Sequence, residues 1–517
     1  MGKRLFKSTI VMGSLTLLSR ISGFIRDIIF ASTFGASSSM EAFLVAFKIP
    51  NFMRRLFAEG SFTQAFVPTL SEYKEKYSHA ETVEFIRNVV GTLGCILLVL
   101  TAFGFMFSGA WIYVFAPGFH DDAAKFILSE SLLKITFPYI FFISLTALAG
   151  SVMNCFERFA VPAFTPVILN LCMITFSMFS DQFEMPIYAI AWGVFFAGLA
   201  QLLFQIPFLI KLNVLAWPKW GWNHLGVSKL IKLMVPALFG ASVAQISLLL
   251  DTVFASFLPT GSISWLYYAD RLNQFPLGIL GVALATVVLP ALSRSHASED
   301  HKAYNYALNW ALKMVMLFAL PAAVAIFVLS GPLIVTLFHH GMFNVNDVYE
   351  SQKALFAFSV GLFSFVLVKV LVSAFYAKQN MKTPVKIGII ALVSNMVLNA
   401  ILVISMMPYG LGHMGLAIAT SLSSFINTGL LFIILMKNRM FTFEHGWLSF
   451  ALKIIFACVG MVLVLFFLSG NIDSWFMLKT SDLVIKLSYV IISGIAAYFA
   501  MLFILGIRKS DILSKNH

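Results

Sequence analysis

Charge is what this 517-residue chain has least of. Asp, Glu, Lys and Arg make up 11% of it, against about a quarter in soluble globular proteins. That scarcity excludes a soluble fold, and a hydrophobic share of 60% excludes disorder, which needs low hydrophobicity and high net charge. Cysteine is scarce too. Cys95, Cys155, Cys172 and Cys458 are scattered, fall in no metal-ligand spacing and lie outside the outer loops, so buried thiols are expected rather than disulfides or zinc. There is no nucleotide-binding loop, no metal-hydrolase motif and no spacing that supports a Ser-His-Asp constellation. Every loop is short, which leaves no room for a sizeable soluble domain. His120-Asp121-Asp122 and His339-His340 are read as solvated loop residues. These absences point away from an enzyme. Acids are also outnumbered, 23 against 35 Lys and Arg, for a net charge of +12. In a soluble protein that balance would suggest nucleic acid. In a membrane protein, retention of basic loops in the cytoplasm explains it first, and no nucleic-acid partner is expected.

What the chain has in abundance is apolar runs, with a mean hydropathy of +0.90. A helix needs about 20 mostly apolar residues to cross a bilayer core. About fourteen segments qualify: roughly 8–34, 39–72, 84–115, 123–153, 160–180, 185–211, 227–257, 263–294, 302–338, 347–377, 383–406, 412–437, 446–469 and 481–507. The runs are continuously apolar, not alternating, so helices are expected instead of a barrel. The fold class is therefore an all-α polytopic membrane protein. The first segment begins like a signal peptide, but it is too long and is interrupted by Arg20 and Arg26, so it is read as an uncleaved helix. An even number of spans puts both termini on one side. Sorting the 35 bases places 23 on the side of the termini, five opposite (Lys125, Lys134, Lys353, Lys479 and Lys486) and seven inside apolar segments. That asymmetry predicts cytoplasmic termini.

A weak duplication is present. Asp27-Ile-Ile-Phe-Ala-Ser32 matches Asp251-Thr-Val-Phe-Ala-Ser256, Pro68-Thr-Leu-Ser71 matches Pro290-Ala-Leu-Ser293, and Pro162 matches Pro384. Either these are coincidences in apolar sequence of low diversity, or the chain has two parallel six-helix halves. The second reading gives an N-terminal lobe at 1–215 (spans 1–6), a C-terminal lobe at 216–440 (spans 7–12), and an appendix of spans 13–14 at 441–517. Two repeated bundles around a midplane site form a transporter architecture.

Charges inside hydrocarbon are costly and face a cavity or one another. The first span carries Arg20, Arg26 and Asp27; the second carries Glu41, Lys48, Arg54, Arg55 and Glu59. Span 7 carries Asp251, span 8 Asp270 and Arg271, and span 10 Lys369. Glu41, Lys48 and Arg55 repeat every seven residues and so share a helix face. Spans 2 and 8 are interrupted, by Pro50 and Gly60 in one and by Pro276, Gly278 and Gly281 in the other. Two readings stay open. The charges could be internal ion pairs that hold helices together, as for Asp27 with Arg26 or Arg20, or for Asp270 with Arg271. Alternatively, the excess of bases, mostly arginine, takes an anionic, phosphorylated substrate, because guanidinium is bidentate and stays charged when desolvated. Asn395 and Asn399, one turn apart on span 11, could coordinate a cation with Asp251, or could make polar helix contacts.

Three stretches carry a family resemblance: Ser19-Arg-Ile-Ser-Gly-Phe-Ile-Arg-Asp27, then Ala46-Phe-Lys-Ile-Pro-Asn-Phe-Met-Arg-Arg-Leu-Phe-Ala-Glu-Gly60, then Gln64-Ala-Phe-Val-Pro68. Tyr267-Tyr-Ala-Asp-Arg-Leu272, Lys369 and Lys382-Thr-Pro-Val-Lys386 extend it over essentially the whole chain. In these the sequence resembles the MurJ (MviN-type) lipid II flippases of the multidrug/oligosaccharidyl-lipid/polysaccharide exporter superfamily. The resemblance implies two six-helix lobes around a central cationic cavity plus two C-terminal helices that form a groove for the lipid tail. It implies the bacterial cytoplasmic (inner) membrane and a substrate, lipid II, which is undecaprenyl diphosphate carrying the peptidoglycan precursor. Expected partners are that lipid, membrane lipids and cell-wall synthesis proteins. The family's cavity arginines fall on Arg20, Arg26, Arg54 and Arg271. Its span-2 acid, usually Asp, is here Glu41, and where some relatives have Glu after the Ala-Asp-Arg-Leu run this chain has Gln274. Asp27, Arg55, Glu59, Asp270 and Lys369 complete the expected substrate-binding set. Asp251, Asn395 and Asn399 are a candidate sodium site, since some relatives bind that ion among spans 7, 11 and 12. The alternatives are an exporter of another polyprenyl-linked glycan or of drugs, and a membrane enzyme acting on lipid-linked sugars.

Overall fold

A computed structural model describes residues 2–55, 62–215 and 217–508. They fold into helices joined by short loops. In the first part of the chain these are α1 (Gly2–Phe34), α2 (Ser38–Arg54), α3 (Thr63–Lys76), α4 (His79–Met106), α5 (Ser108–Phe115), α6 (Ala123–Thr136), α7 (Tyr139–Cys155), α8 (Ala160–Met178), α9 (Ile187–Lys211) and α10 (Leu225–Ser256). There follow α11 (Ser262–Pro276), α12 (Val282–Ala297), α13 (His301–Val328), α14 (Ser330–Phe338), α15 (Val345–Ala377), α16 (Lys382–Met406), α17 (Gly412–Lys437), α18 (Trp447–Ser469), α19 (Asp473–Phe476) and α20 (Thr480–Ile504).

Polar residues set where many of these helices start. Ser78 and Glu81 form a reciprocal capping box at α4, as Asn344 and Asp347 do at α15. Asp122 caps α6 and Asp300 caps α13 through backbone amides that the first turn leaves unpaired.

Among the described residues, eleven helical segments are long and apolar enough to span a membrane. They match eleven of the fourteen expected segments. The other three expected segments, 8–34, 39–72 and 227–257, coincide with α1, with α2 and α3, and with α10. α2 has 17 residues and α3 has 14, each short of a full span by itself. Several expected spans are broken. The segment 84–115 becomes α4 and α5, 123–153 becomes α6 and α7 on either side of Pro138, and 302–338 becomes α13 and α14. The interruption expected in span 8 is a π-helical turn, Leu277–Gly281, directly after Pro276.

The chain divides into two compact units, Met1–Gly261 and Ser262–His517. In the first, α3, α4, α7 and α10 enclose an apolar core that includes Phe66, Leu70, Phe85, Val89, Val152 and Val227. The sequence-based boundary at 215/216 differs from this division by one helix. α10 stays with the first unit because its start packs on α3 and α4, where Gly226 sits against Tyr73 and Phe85 and where Lys229 pairs with Glu72. In the second unit, α12, α13, α15 and α17 meet around Leu292, Leu308, Val315, Leu362, Leu371 and Leu431. α15 and α17 approach closely at Gly361, where a β-carbon would lie 2.9 Å from the Cα of Ser421. α18 packs on α13 and α20.

Candidate functional site

In the first unit the expected site residues are drawn into two buried constellations. Arg26 and Asp27, adjacent on α1, are 6% and 1% exposed. The guanidinium donates from Nε (3.0 Å) and Nη2 (2.6 Å) to Asp27 Oδ1 and from Nη1 to Asn170 Oδ1 (3.0 Å), and it lies 5.6 Å from the ring centre of Phe30. Asn170 is on α8, and its Nδ2 donates back to Ser19 O (3.0 Å) and Ser22 Oγ (2.9 Å). One amide thus clamps the Ser19–Asp27 stretch of α1 to α8. Apposition is close because Gly23 presents no side chain there; a β-carbon would stand 3.4 Å from Asn170 Nδ2. The internal pair considered for Asp27 and Arg26 is therefore formed. Arg20 lies half-buried two turns earlier on α1.

The second constellation centres on Glu41, in the first turn of α2 and 1% exposed. Its Oε2 is paired with Lys125 Nζ of α6, and its Oε1 accepts from the amide of Gly261 (2.9 Å). The Lys125 ammonium also lies 4.3 Å from the ring centre of Phe119. Lys125, expected in an outer loop, is instead a buried residue of α6, 6% exposed, paired with an acid 84 positions away. Lys134, Lys353 and Lys486 likewise sit on helices. Near the other end of α2, Arg54 is half-buried and donates from Nε to Asn51 Oδ1 (3.3 Å). Arg55 is exposed. Glu59 lies outside the described residues.

The second unit holds its charges differently. Asp270 and Arg271 are half-buried on α11. Gln274 Nε2 donates to Asp270, and Arg271 donates from Nη2 to the hydroxyl of Tyr267 (3.3 Å) while its guanidinium lies 4.9 Å from that ring centre. These partners are all four positions along the same helix. Lys369, exposed on α15, runs beside the π-helical turn, with its Cγ 3.4 Å from where a β-carbon on Gly281 would stand.

Asn395 and Asn399 are both buried on α16, and Asn399 Nδ2 donates to Asn395 Oδ1 (3.2 Å). That bond lies within α16 and is not a contact between helices. Asp251 belongs to α10 in the first unit. Among the described residues there is no group of three His, Cys, Asp or Glu that could hold a metal ion.

Sequence reasoning missed two residues of the site, Asn170 and Lys125. A lone asparagine in the apolar segment 160–180 is a visible polar exception, and its burial is a reason to look for a partner. Lys125 gave no such signal, because it stands in a locally polar stretch after Asp121 and Asp122.

Comparison with known proteins agrees with this architecture. Residues 30–485 match the family model described as lipid II flippase MurJ. A probable lipid II flippase MurJ from Vibrio cholerae is 44% identical, over 99% of this chain and 98% of its own length. A lipid II flippase MurJ from Burkholderia cenocepacia is 38% identical, over 98% of each. Among solved structures, a lipid II flippase MurJ in an inward closed conformation superposes with a TM-score of 0.80 at 30% identity, over 96% of this chain and 98% of that one. An inward-facing multidrug transporter of the MATE family reaches 0.64 at 14% identity and shares the fold alone. With a family model matched over most of its length and relatives aligned from end to end, this multi-pass membrane protein belongs to the MurJ family of lipid II flippases.

Proposed function

We propose that the chain moves lipid II, the undecaprenyl-diphosphate-linked peptidoglycan precursor, from the cytoplasmic to the periplasmic leaflet of the bacterial inner membrane by alternating access. The observation that carries this reading is the end-to-end similarity to proteins named for that activity, at up to 44% identity. Both termini are then cytoplasmic, as the distribution of bases suggests.

The chemistry of the substrate fits the charges. Its diphosphate needs donors that replace water at membrane depth. Arg20, Arg26 and Arg54 in the first unit and Arg271 in the second offer guanidinium groups, which remain charged when desolvated. Arg26 is pre-oriented by Asp27 and Asn170, so little conformational entropy is lost when it meets an anion. Arg54 and Arg271 each donate to a neutral oxygen, of Asn51 and of Tyr267, and a charged phosphate oxygen is the stronger acceptor. Asp27 sets where Arg26 stands, while Glu41 pairs with Lys125 and Asp270 accepts from Gln274. Arg55 in the first unit and Lys369 in the second are exposed and offer further charge. A return step is favoured by the membrane potential, which contributes about 2.3 kcal/mol per charge per 100 mV to a net-positive empty carrier. Asp251, Asn395 and Asn399 would offer oxygen ligands to a coupling sodium ion; transport unaffected by sodium removal would dismiss that role.

Depletion in a cell that depends on this chain tests the function directly. Lipid II should accumulate in the inner leaflet while its synthesis continues, and lysis should follow. Lipid II that still reaches the outer face at the normal rate would overturn the assignment.

A further inference from the structure

The second unit carries a basic pocket that neither the transport reading nor the family match assigns. It is a cavity of about 240 Å³ between the first turn of α13, the residues after α15 and the loop that follows α17. Lys302, Lys378 and Arg439 bring three cations to it, and Tyr304, Asn305 and Met440 form its floor and wall. The pocket's lining contains no acid. Two acids close to it in sequence are engaged: Asp300 caps α13 by accepting from the Ala303 amide (2.8 Å), and Glu444 pairs with Lys313 (2.9 Å). Three like charges gathered without a carboxylate repel one another and favour an anion between them.

The pocket is built into the fold. Tyr304, 3% exposed, donates its hydroxyl to Ala374 O (2.7 Å) and lays its ring 4.8 Å below the Lys378 ammonium. The Arg439 loop is pinned to α13. The Thr442 amide donates to Asn305 Oδ1 (2.8 Å), Asn309 Nδ2 donates to Thr442 O (3.0 Å), and Trp447 Nε1 donates to Asn309 Oδ1 (2.6 Å). Arg439 takes a left-handed backbone conformation (φ 52°), which is uncommon outside glycine and is fixed here by the closure of the chain after α17. Partial burial lowers the Lys378 ammonium below the usual lysine range, as expected for a cation that gains from an incoming anion. Beside the pocket, Phe432, Phe441, Phe443 and Trp447 form a chain of ring contacts with centroids 5.0 to 5.7 Å apart, and Phe443 is 51% exposed. Aromatic residues next to basic ones at the ends of spanning helices mark the level of lipid headgroups.

We propose that this pocket binds a phosphate group, presented either by an anionic lipid headgroup or by free phosphate, at a site separate from the arginines that meet lipid II. Arg439 supplies a planar pair of donors, Lys302 and Lys378 supply point charges, and Tyr304 and Met440 accommodate the apolar flank of a phosphodiester. In either case, filling the site ties the start of α13 to the ends of α15 and α17.

The test uses the full chain purified in detergent with a defined mixture of phosphatidylglycerol and phosphatidylethanolamine. Native mass spectrometry measures retained lipid, and thermal unfolding of delipidated protein measures the response to inorganic phosphate. The wild type should retain phosphatidylglycerol over phosphatidylethanolamine, or be stabilised by phosphate. The double variant Lys302→Gln, Arg439→Gln should lose about tenfold in that binding, as removal of two charge-assisted contacts implies. Lys437→Gln, which neutralises an exposed base of α17 outside the pocket, should leave it unchanged. Loss confined to the lipid assigns a headgroup, and loss confined to phosphate assigns a soluble anion. Should the double variant unfold earlier even in phosphatidylethanolamine alone, the exchange Lys302→Arg, Arg439→Lys replaces it and must retain binding. Equal lipid retention and an equal phosphate response in wild type and double variant would overturn the proposal. It would leave the flippase reading intact, since none of these residues serves that role.

Discussion

The two units carry intramembrane charge in opposite ways. In the first, Arg26, Asp27 and Glu41 are all less than a tenth exposed, and each constellation is completed from another helix, by Asn170 of α8 or Lys125 of α6. In the second, Asp270 and Arg271 are half-buried and lean on Gln274 and Tyr267 of their own helix. A charge fixed by a distant helix is part of the fold, since removing it strands a buried partner. A charge bonded to a residue four positions along its own helix keeps that contact whatever the neighbouring helices do. The first unit therefore holds a rigid electrostatic frame and the second a more adjustable one. That contrast suits a carrier that must grip a diphosphate and then release it.

The sharpest way to break this contrast is to remove charges one at a time and rank the stability each removes. Glu41→Gln should cost most. The glutamine can still accept from the Gly261 amide, but the Lys125 ammonium is left buried without its counter-charge. Breaking a buried pair from one side costs about 3–5 kcal/mol. A large fall in unfolding temperature is expected, together with loss of complementation in depleted cells. Adding Lys125→Met should restore most of the stability, because removing both charges leaves nothing unpaired. If the double variant is as unstable as the single, Glu41 is held by something other than this pair.

Asn170→Leu comes next. It keeps the branching of the side chain and removes one bond from Arg26 and two to α1. Arg26 keeps Asp27, so the cost should fall to about 1–3 kcal/mol, the range for leaving buried polar groups unsatisfied. Thermal unfolding reads it. A cost as large as that of Glu41→Gln would mean that the clamp of α1 to α8, and not the ion pair, carries the first constellation.

Much of this fold was legible in the sequence, and the reasons differ by residue. Apolar runs located eleven spanning segments, because length and hydropathy are local properties. Pro276 and Gly281 announced the broken helix at Leu277–Gly281 for the same reason. Breaks at Phe107 and Pro138 divide runs that hydropathy alone reads as continuous. The charged residues were visible as costly exceptions, but their partners were not. Glu41 and Lys125 are 84 positions apart, and Arg26 and Asn170 are 144 apart. Only the packing of α2 with α6 and of α1 with α8 decides those pairings, and one sequence does not encode packing locally. The contacts of α10 with α3 and α4 were illegible for the same reason, since its length fits either half.

Arg271→Ala should fall at the other end of the stability scale. The side chain is half-buried, and the hydroxyl it donates to stays on α11. A change under about 1 kcal/mol is expected. Lipid II exposure on the outer face should nevertheless be lost, and Arg271→Lys should restore it poorly because a point charge cannot replace the planar fork. A well-folded Arg271→Ala protein that supports normal growth would remove this residue from the diphosphate site. A poorly folded one would erase the difference between the units.

Tyr267→Phe is the mildest change and the most discriminating. It deletes the hydroxyl that accepts from Arg271 Nη2 at 3.3 Å but keeps the ring 4.9 Å from the guanidinium. If Arg271 is supported locally and remains free to change partner, stability should not move, and transport should fall only about fivefold, the equivalent of one long hydrogen bond of about 1 kcal/mol. Tyr267→Ala, which also removes the ring, should lose more, because the cation–π contact goes with it. Two results would change the picture. A Tyr267→Phe protein as inactive as Arg271→Ala would mean that the hydroxyl itself meets the substrate. A Tyr267→Phe protein that unfolds several degrees early would mean that the second unit locks its arginine as firmly as the first. Transport lowered severalfold at unchanged stability is the outcome that keeps one unit as frame and the other as adjustable partner.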